Sequence, residues 1–189
     1  MSDTRLTPEQ RDTALKDLLG SDLLAMGEAS KLLSFDASTT SVLLPLLDGE
    51  SRIETRHAIL YALTWHGDLT LWSLMVGILT DTQEAPQVRG QAAEYLSYNF
   101  AKVRTDSAEF EVAVKALLDA LKDPSVEVRY CAVNALGCTG HLPLIPTLEE
   151  MREDKTPAPG WVGTVSDEAS RALEWIVGAH EMRIKRGIL

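Results

Sequence analysis

The run Asp123-Pro124-Ser125-Val126-Glu127-Val128-Arg129, followed by Tyr130-Cys131-Ala132-Val133-Asn134-Ala135-Leu136-Gly137, is the stretch that most constrains the fold. Asp123 suits an N-cap, because its carboxylate can accept the free backbone N–H groups of a first helical turn. Pro124 then falls at the first helical position, where a missing N–H is harmless. Val128, Cys131, Ala132, Ala135 and Leu136 follow at helical spacing as one apolar stripe. Small residues on such a stripe let two helices approach closely. Gly137 and Gly140 read as terminators.

The pattern recurs. Gln87-Val88-Arg89 leads to Ala92 and Leu96, and Val165 leads to Ala169, Ala172 and Leu173 with Ser166 in the arginine slot. Arg56 leads to Ile59, Ala62 and Leu63, with Thr55 in the valine slot. Equivalent positions are 33, 40 and 37 residues apart (56 to 89, 89 to 129, 129 to 166), the period of stacked helical repeats. The expected fold is all-α: an α-solenoid of about five antiparallel helix pairs forming one domain over residues 1–189.

Taken in order, Thr7-Pro8-Glu9-Gln10 opens a first helix with a capping box, Leu15, Leu18 and Leu19 form its stripe, and Gly20 ends it. Ser21 or Asp22 caps a second helix. This pair, within residues 1–37, fits the repeat poorly and is expected to cap the amino-terminal end. Residues 38–178 hold the repeats: helices are expected over 38–47 and 52–65, 69–79 and 86–100, 110–121 and 124–138, 142–151 and 165–182, with residues 179–189 as a tail. Lys155 to Thr164, with two prolines and two glycines, is a long loop. Its Trp161 is either packed down or used for contact, and packing is favoured.

The chain of 189 residues has a formal net charge of −10, with its acidic excess concentrated before Lys102 and a basic end at Arg183, Lys185 and Arg186. That balance argues against nucleic-acid binding, which needs a basic stripe, and suits a basic partner. Met1-Ser2-Asp3-Thr4-Arg5 shows no secretory signal, and no apolar run reaches membrane-spanning length. Cys131 and Cys138 lie two helical turns apart, too far for a disulfide, so a reducing cytoplasm is expected.

The Asp-Pro-Ser-Val-Glu-Val-Arg run with Ala132, Ala135, Leu136 and Gly137, together with Val165-Ser166-Asp167-Glu168-Ala169 and Ala172-Leu173, resembles HEAT-repeat proteins, in particular the short bacterial phycobilisome-lyase-like type. The resemblance covers roughly residues 38–178. It implies a right-handed superhelix whose second helices line a concave face. It also implies that Arg89 and Arg129 pair with a loop acid of a neighbouring repeat, Asp81 or Asp123.

If the second helices line the inner face, the residues opposite the apolar stripe point into a groove. These are Glu54, His57, Tyr61 and Trp65; Gln87, Gln91, Glu94 and Tyr98; Glu127, Tyr130 and Asn134; and Asp167, Arg171 and Glu174, with Trp161 alongside. Tyr61, Tyr98 and Tyr130 would form an aromatic row flanked by carboxylates, suited to a basic peptide or protein surface. Cys138 and His141 have a plausible metal spacing, but Cys131 sits in the apolar stripe and the donors are too few, so neither metal nor cofactor is expected. His180-Glu181 is the single His-Glu pair, whereas HEAT-repeat hydroxylases use several. No catalytic glycine or nucleophile motif is present. The expected function is a non-enzymatic interaction scaffold binding a partner protein on its concave face. The alternatives are an immunity-type protein that neutralises a basic toxin and an accessory subunit of a bilin-lyase-like or other modifying enzyme.

Overall fold

The computed structural model describes residues 5–189, so the reading of the first four residues lies outside it. Among the described residues there are ten α-helices, four short 3-10 turns and no strand beyond an isolated bridge between Pro157 and Thr164. No helix among them is long and apolar enough to cross a membrane. The chain divides into two compact units, the first ending at Asp68 and the second running from Leu69 to Leu189.

The first unit holds α1 (Pro8–Leu18), α2 (Leu23–Leu33), α3 (Thr40–Gly49) and α4 (Ile53–His66). The capping box of Thr7 and Gln10 forms as expected, and the Asp22 carboxylate accepts the Leu24 and Ala25 N–H groups at 2.9 and 3.2 Å. α1 ends at Leu18, two residues before Gly20. There Arg52 donates to the carbonyls of Leu19 and Gly20 at 2.9 and 2.8 Å, a cation placed where helix carbonyls are orphaned. His66 Nε2 lies 3.0 Å from the Leu33 carbonyl, so it carries the proton, and Nδ1 accepts from the Thr40 hydroxyl at 2.8 Å.

The second unit holds α5 (Trp72–Thr80), α6 (Pro86–Asn99), α7 (Ala108–Ala120), α8 (Val126–Gly137), α9 (Ile145–Met151) and α10 (Val165–Arg186). α8 lies between α6 and α10 in one layer, with α5 behind α6, α7 behind α8 and α9 behind α10. Val128, Ala132, Ala135 and Leu136 of the α8 stripe are fully buried, as are Val88, Ala92 and Leu96 on α6 and Val165, Ala169 and Ala172 on α10. This is the shared seam that the repeat predicts.

Three local expectations change. Asp123 is not the N-cap of α8: the helix begins at Val126 after Ser125, and the Asp123 carboxylate accepts the Ser125 N–H at 2.8 Å while pairing with Arg89. Gly137 does end α8, but as its last helical residue at the crossing with α10, and the left-handed glycine backbone falls at Gly140 (φ 66°). A Cβ on Gly137 would lie 2.7 Å from both Cα and Cβ of Ala172. Gly137→Ala should therefore lower stability by about 1–3 kcal/mol, the usual penalty of overpacking, even though alanine is the better helix former. A urea melt in which the variant equals or exceeds the parent would show that this contact is loose. Lastly, α10 continues four residues past Met182, because Arg183 is drawn into the interior.

Arg183 is 2% exposed and meets no carboxylate among the described residues. It donates instead to the carbonyls of Phe100 (2.6 Å), Val103 (2.8 Å), Ile188 (3.2 Å) and Thr139. Its guanidinium lies 5.3 Å from the centroid of Phe110, at one end of an edge-to-face aromatic series running Tyr95, Trp72, Phe100, Phe110.

Candidate functional site

Burying the α8 stripe against α7 turns Glu127, Tyr130, Asn134 and Cys138 to the opposite face, flanked by Glu94 and Tyr98 on α6 and by Glu168, Arg171 and Trp175 on α10. Cys131 marks the middle of the acidic part: Glu94, Glu127 and Glu168 all act on its buried thiol, which burial holds well above the usual thiol range. It is therefore an inert apolar filler.

The three carboxylates are not equivalent. Glu168 is buried and satisfied, pairing with Arg171 and accepting from Asn134 Nδ2 at 2.7 Å. Arg171 also donates to the Tyr130 hydroxyl at 2.7 Å and the Val162 carbonyl at 3.2 Å. Glu94 and Glu127 have no cation of this kind among the described residues; Glu94 is hydrogen-bonded to Gln91. Burial pushes the Glu94 carboxyl up to about 7, helped by the nearby charge of Glu127, and burial raises Glu127 as well.

This has a pH consequence. An unfolded glutamate loses its proton near 4.5, whereas folded Glu94 holds it to about 7. Across that window the folded chain binds more protons than the unfolded one, so stability falls as pH rises and levels off above about 7. The loss is on the order of 2 kcal/mol. Glu94→Gln should flatten the curve between these pH values; equal slopes for variant and parent in urea melts from pH 4.5 to 8 would remove Glu94 as the cause.

The structure sorts the expected groove residues. Glu94, Tyr98, Glu127, Asn134 and Arg171 share the α6–α8–α10 face, and Tyr98 is 51% exposed. Gln91 and Tyr130, expected in the open groove, are buried, Tyr130 at 4% exposure. For Tyr130 the reason is the loop after α9: Trp161 lies over Tyr130 with ring centroids 5.1 Å apart, and the loop is held by Ala158 N–H to Gly163 O at 3.2 Å and Val165 N–H to Thr156 O at 3.2 Å. Trp161 is thus packed down on one side and still 37% exposed on the other. Asp167 is exposed, but its carboxylate completes the capping box of α10 with Thr164. Glu54, His57, Tyr61 and Trp65 lie on α4 in the first unit, where Tyr61 and Trp65 stack edge to face at 6.3 Å. Glu168, absent from the expected set, anchors the face; its three-residue spacing from Arg171 was the available signal. No cluster of His, Cys, Asp and Glu among the described residues is arranged to hold a metal ion.

Between repeats, Arg89 pairs with Asp123, and Arg129 Nε donates to Asp154 at 2.8 Å. The first of these is one of the two acids expected; the second partner is the acid of the following connection rather than Asp81 or Asp123. Arg129 does reach the Asp123 backbone carbonyl at 2.9 Å.

Paired helices, small-residue seams and an arginine tied to the next connection define an all-α solenoid of two-helix repeats. Residues 113–138, covering most of α7 and all of α8, match the profile of the HEAT repeat. No curated protein sequence matches it. Among solved structures it is similar to a chain in the complex of CpcE and CpcF of phycocyanin lyase from Nostoc sp. PCC7120, with TM-score 0.64 and 19% identity over 87% of this chain and 96% of that one. It is also similar to a designed armadillo repeat protein in complex with the peptide (KR)4, with TM-score 0.53 and 19% identity over 86% of this chain and 80% of that one. These likenesses are of fold.

Proposed function

We propose that this protein is an interaction scaffold, and that the α6–α8–α10 face binds a basic segment of a partner protein. The observation that carries this is the pair Glu94 and Glu127: two carboxylates held in a partly buried face with no cation of their own, beside a third already neutralised by Arg171. A lysine or arginine from outside supplies the missing charge, and burial strengthens the attraction. The likeness to a solenoid that binds alternating lysine and arginine supports the same chemistry. The reading gives the face no catalytic step, and the two unlinked thiols suit a reducing compartment.

Fluorescence anisotropy with a labelled (Lys-Arg)4 peptide tests it. Binding should weaken at least tenfold in the double variant Glu94→Gln/Glu127→Gln, loosen with added salt, and be tighter at pH 8 than at pH 6 as Glu94 ionises. Affinity indifferent to the double variant would sink the proposal. A second reading, an accessory subunit of a lyase, is supported by the likeness to the phycocyanin lyase complex. Chromophore co-purifying with the chain would favour it.

A further inference from the structure

The acidic patch continues into a different chemical environment. Where α8 stops at Gly137, α6 and α10 flank an open cleft of about 280 Å³ with Cys138 among its lining residues. Tyr98 and Ala101 line it from the α6 end, and Trp175, Ala179 and Met182 form a helical stripe on α10. Trp175 and Met182 are 43% and 47% exposed, two large apolar groups side by side at the mouth of this cleft. Arg186 lies at the same end of the cleft and has no hydrogen-bond or ion-pair partner among the described residues.

From these observations we infer a two-part recognition site: the cleft takes one large apolar side chain of the same segment whose basic residue sits over Glu94 and Glu127. The inference rests on the reading above and makes it specific. At about 280 Å³ the cleft stands at the small end of ligand pockets, which run from about 300 to 1,000 Å³, a scale that suits one side chain. One tryptophan, phenylalanine or leucine side chain fits that scale. Charge favours an uncharged group in the cleft itself, because Arg186 in its lining repels a second cation there.

The helices set the spacing. On α6 Glu94 lies four residues, about 6 Å, before Tyr98 at the cleft. On α8 Glu127 lies eleven residues, about 16 Å, before Cys138. The middle of the pair therefore stands about 11 Å from the cleft at 1.5 Å per residue. An extended peptide covers that distance in three residues at about 3.3 Å each. The recognised segment therefore places its basic and large apolar residues three positions apart.

Anisotropy titrations of the full chain with labelled Gly/Ser octapeptides test this. One set carries Arg and Trp three apart, in both orders; controls carry Arg alone, Trp alone, or Arg and Trp adjacent. The spaced peptide in one order should bind at least tenfold more tightly than every control. Met182→Asp, at an exposed position, should abolish the tryptophan advantage while leaving the arginine advantage; Ala101→Trp, filling the cleft from the opposite wall, should do the same. If Arg alone binds as well as the spaced pair and both cleft variants bind like the parent, the two-part site is overturned while the basic-segment reading stands. If neither arginine nor the Glu94→Gln/Glu127→Gln change matters, both fall together.

Discussion

Replacing Arg183 with methionine is expected to lower the unfolding free energy by about 3–5 kcal/mol. Methionine keeps the apolar stem but removes every donor. The carbonyls of Phe100, Val103, Thr139 and Ile188 then lose their shared partner. A buried carbonyl left unpaired costs about 1–3 kcal/mol. The contacts to Val103 and Ile188 are only part-buried, so water restores some of that loss and the total stays below four full penalties. Two of the carbonyls follow the ends of α6 and α8, where the helix dipole concentrates negative potential. That explains how a cation without a carboxylate is tolerated there. Arg183→Lys should rescue little, because an ammonium cannot span carbonyls that a planar fork reaches. Urea melts followed by circular dichroism decide: a lysine variant as stable as the parent would mean that charge alone, not the fork, holds these loops.

Asp123→Ala should cost about 3–5 kcal/mol, not the 1 kcal/mol or so of a lost helix cap. The Arg89–Asp123 pair is almost fully enclosed, with side chains 7% and 9% exposed. Removing the acid strands a buried guanidinium whose Nε already lacks a partner. It also releases the Ser125 N–H that sets the turn into α8. Changing both members, Arg89→Met with Asp123→Leu, should recover most of the loss, since an apolar pair of similar volume carries no stranded charge. A double variant no better than the single one would show that the Ser125 turn, rather than the ion pair, is what Asp123 provides.

The helix pairs were legible because their stripes are periodic and made of small residues: Ala132, Ala135 and Leu136 could serve no other arrangement as well. Helix ends were read to within a few residues, since capping chemistry such as Thr7 with Gln10 is local. What escaped is nonlocal. Arg183 stands in a run of basic residues that looks like a solvated end, and only the three-dimensional meeting of four carbonyls shows why it is buried. Tyr130 has the helical register of a groove residue, and Trp161, thirty-one positions later, covers it. The Asp123 reading failed for a related reason: a carboxylate near a helix start has two uses, and the distant Arg89 took one of them.

The two arginine pairs between repeats, Arg89–Asp123 and Arg129–Asp154, point forward along the chain. Arg89 must wait for an acid 34 residues further on, and Arg129 for one 25 residues further on. During synthesis each of these two guanidiniums leaves the ribosome ahead of its carboxylate, which arrives only with the next stretch of polypeptide. Each pair therefore closes only once the following connection has emerged, and a nascent chain halted before Asp154 would carry an α8 without its tie from Arg129.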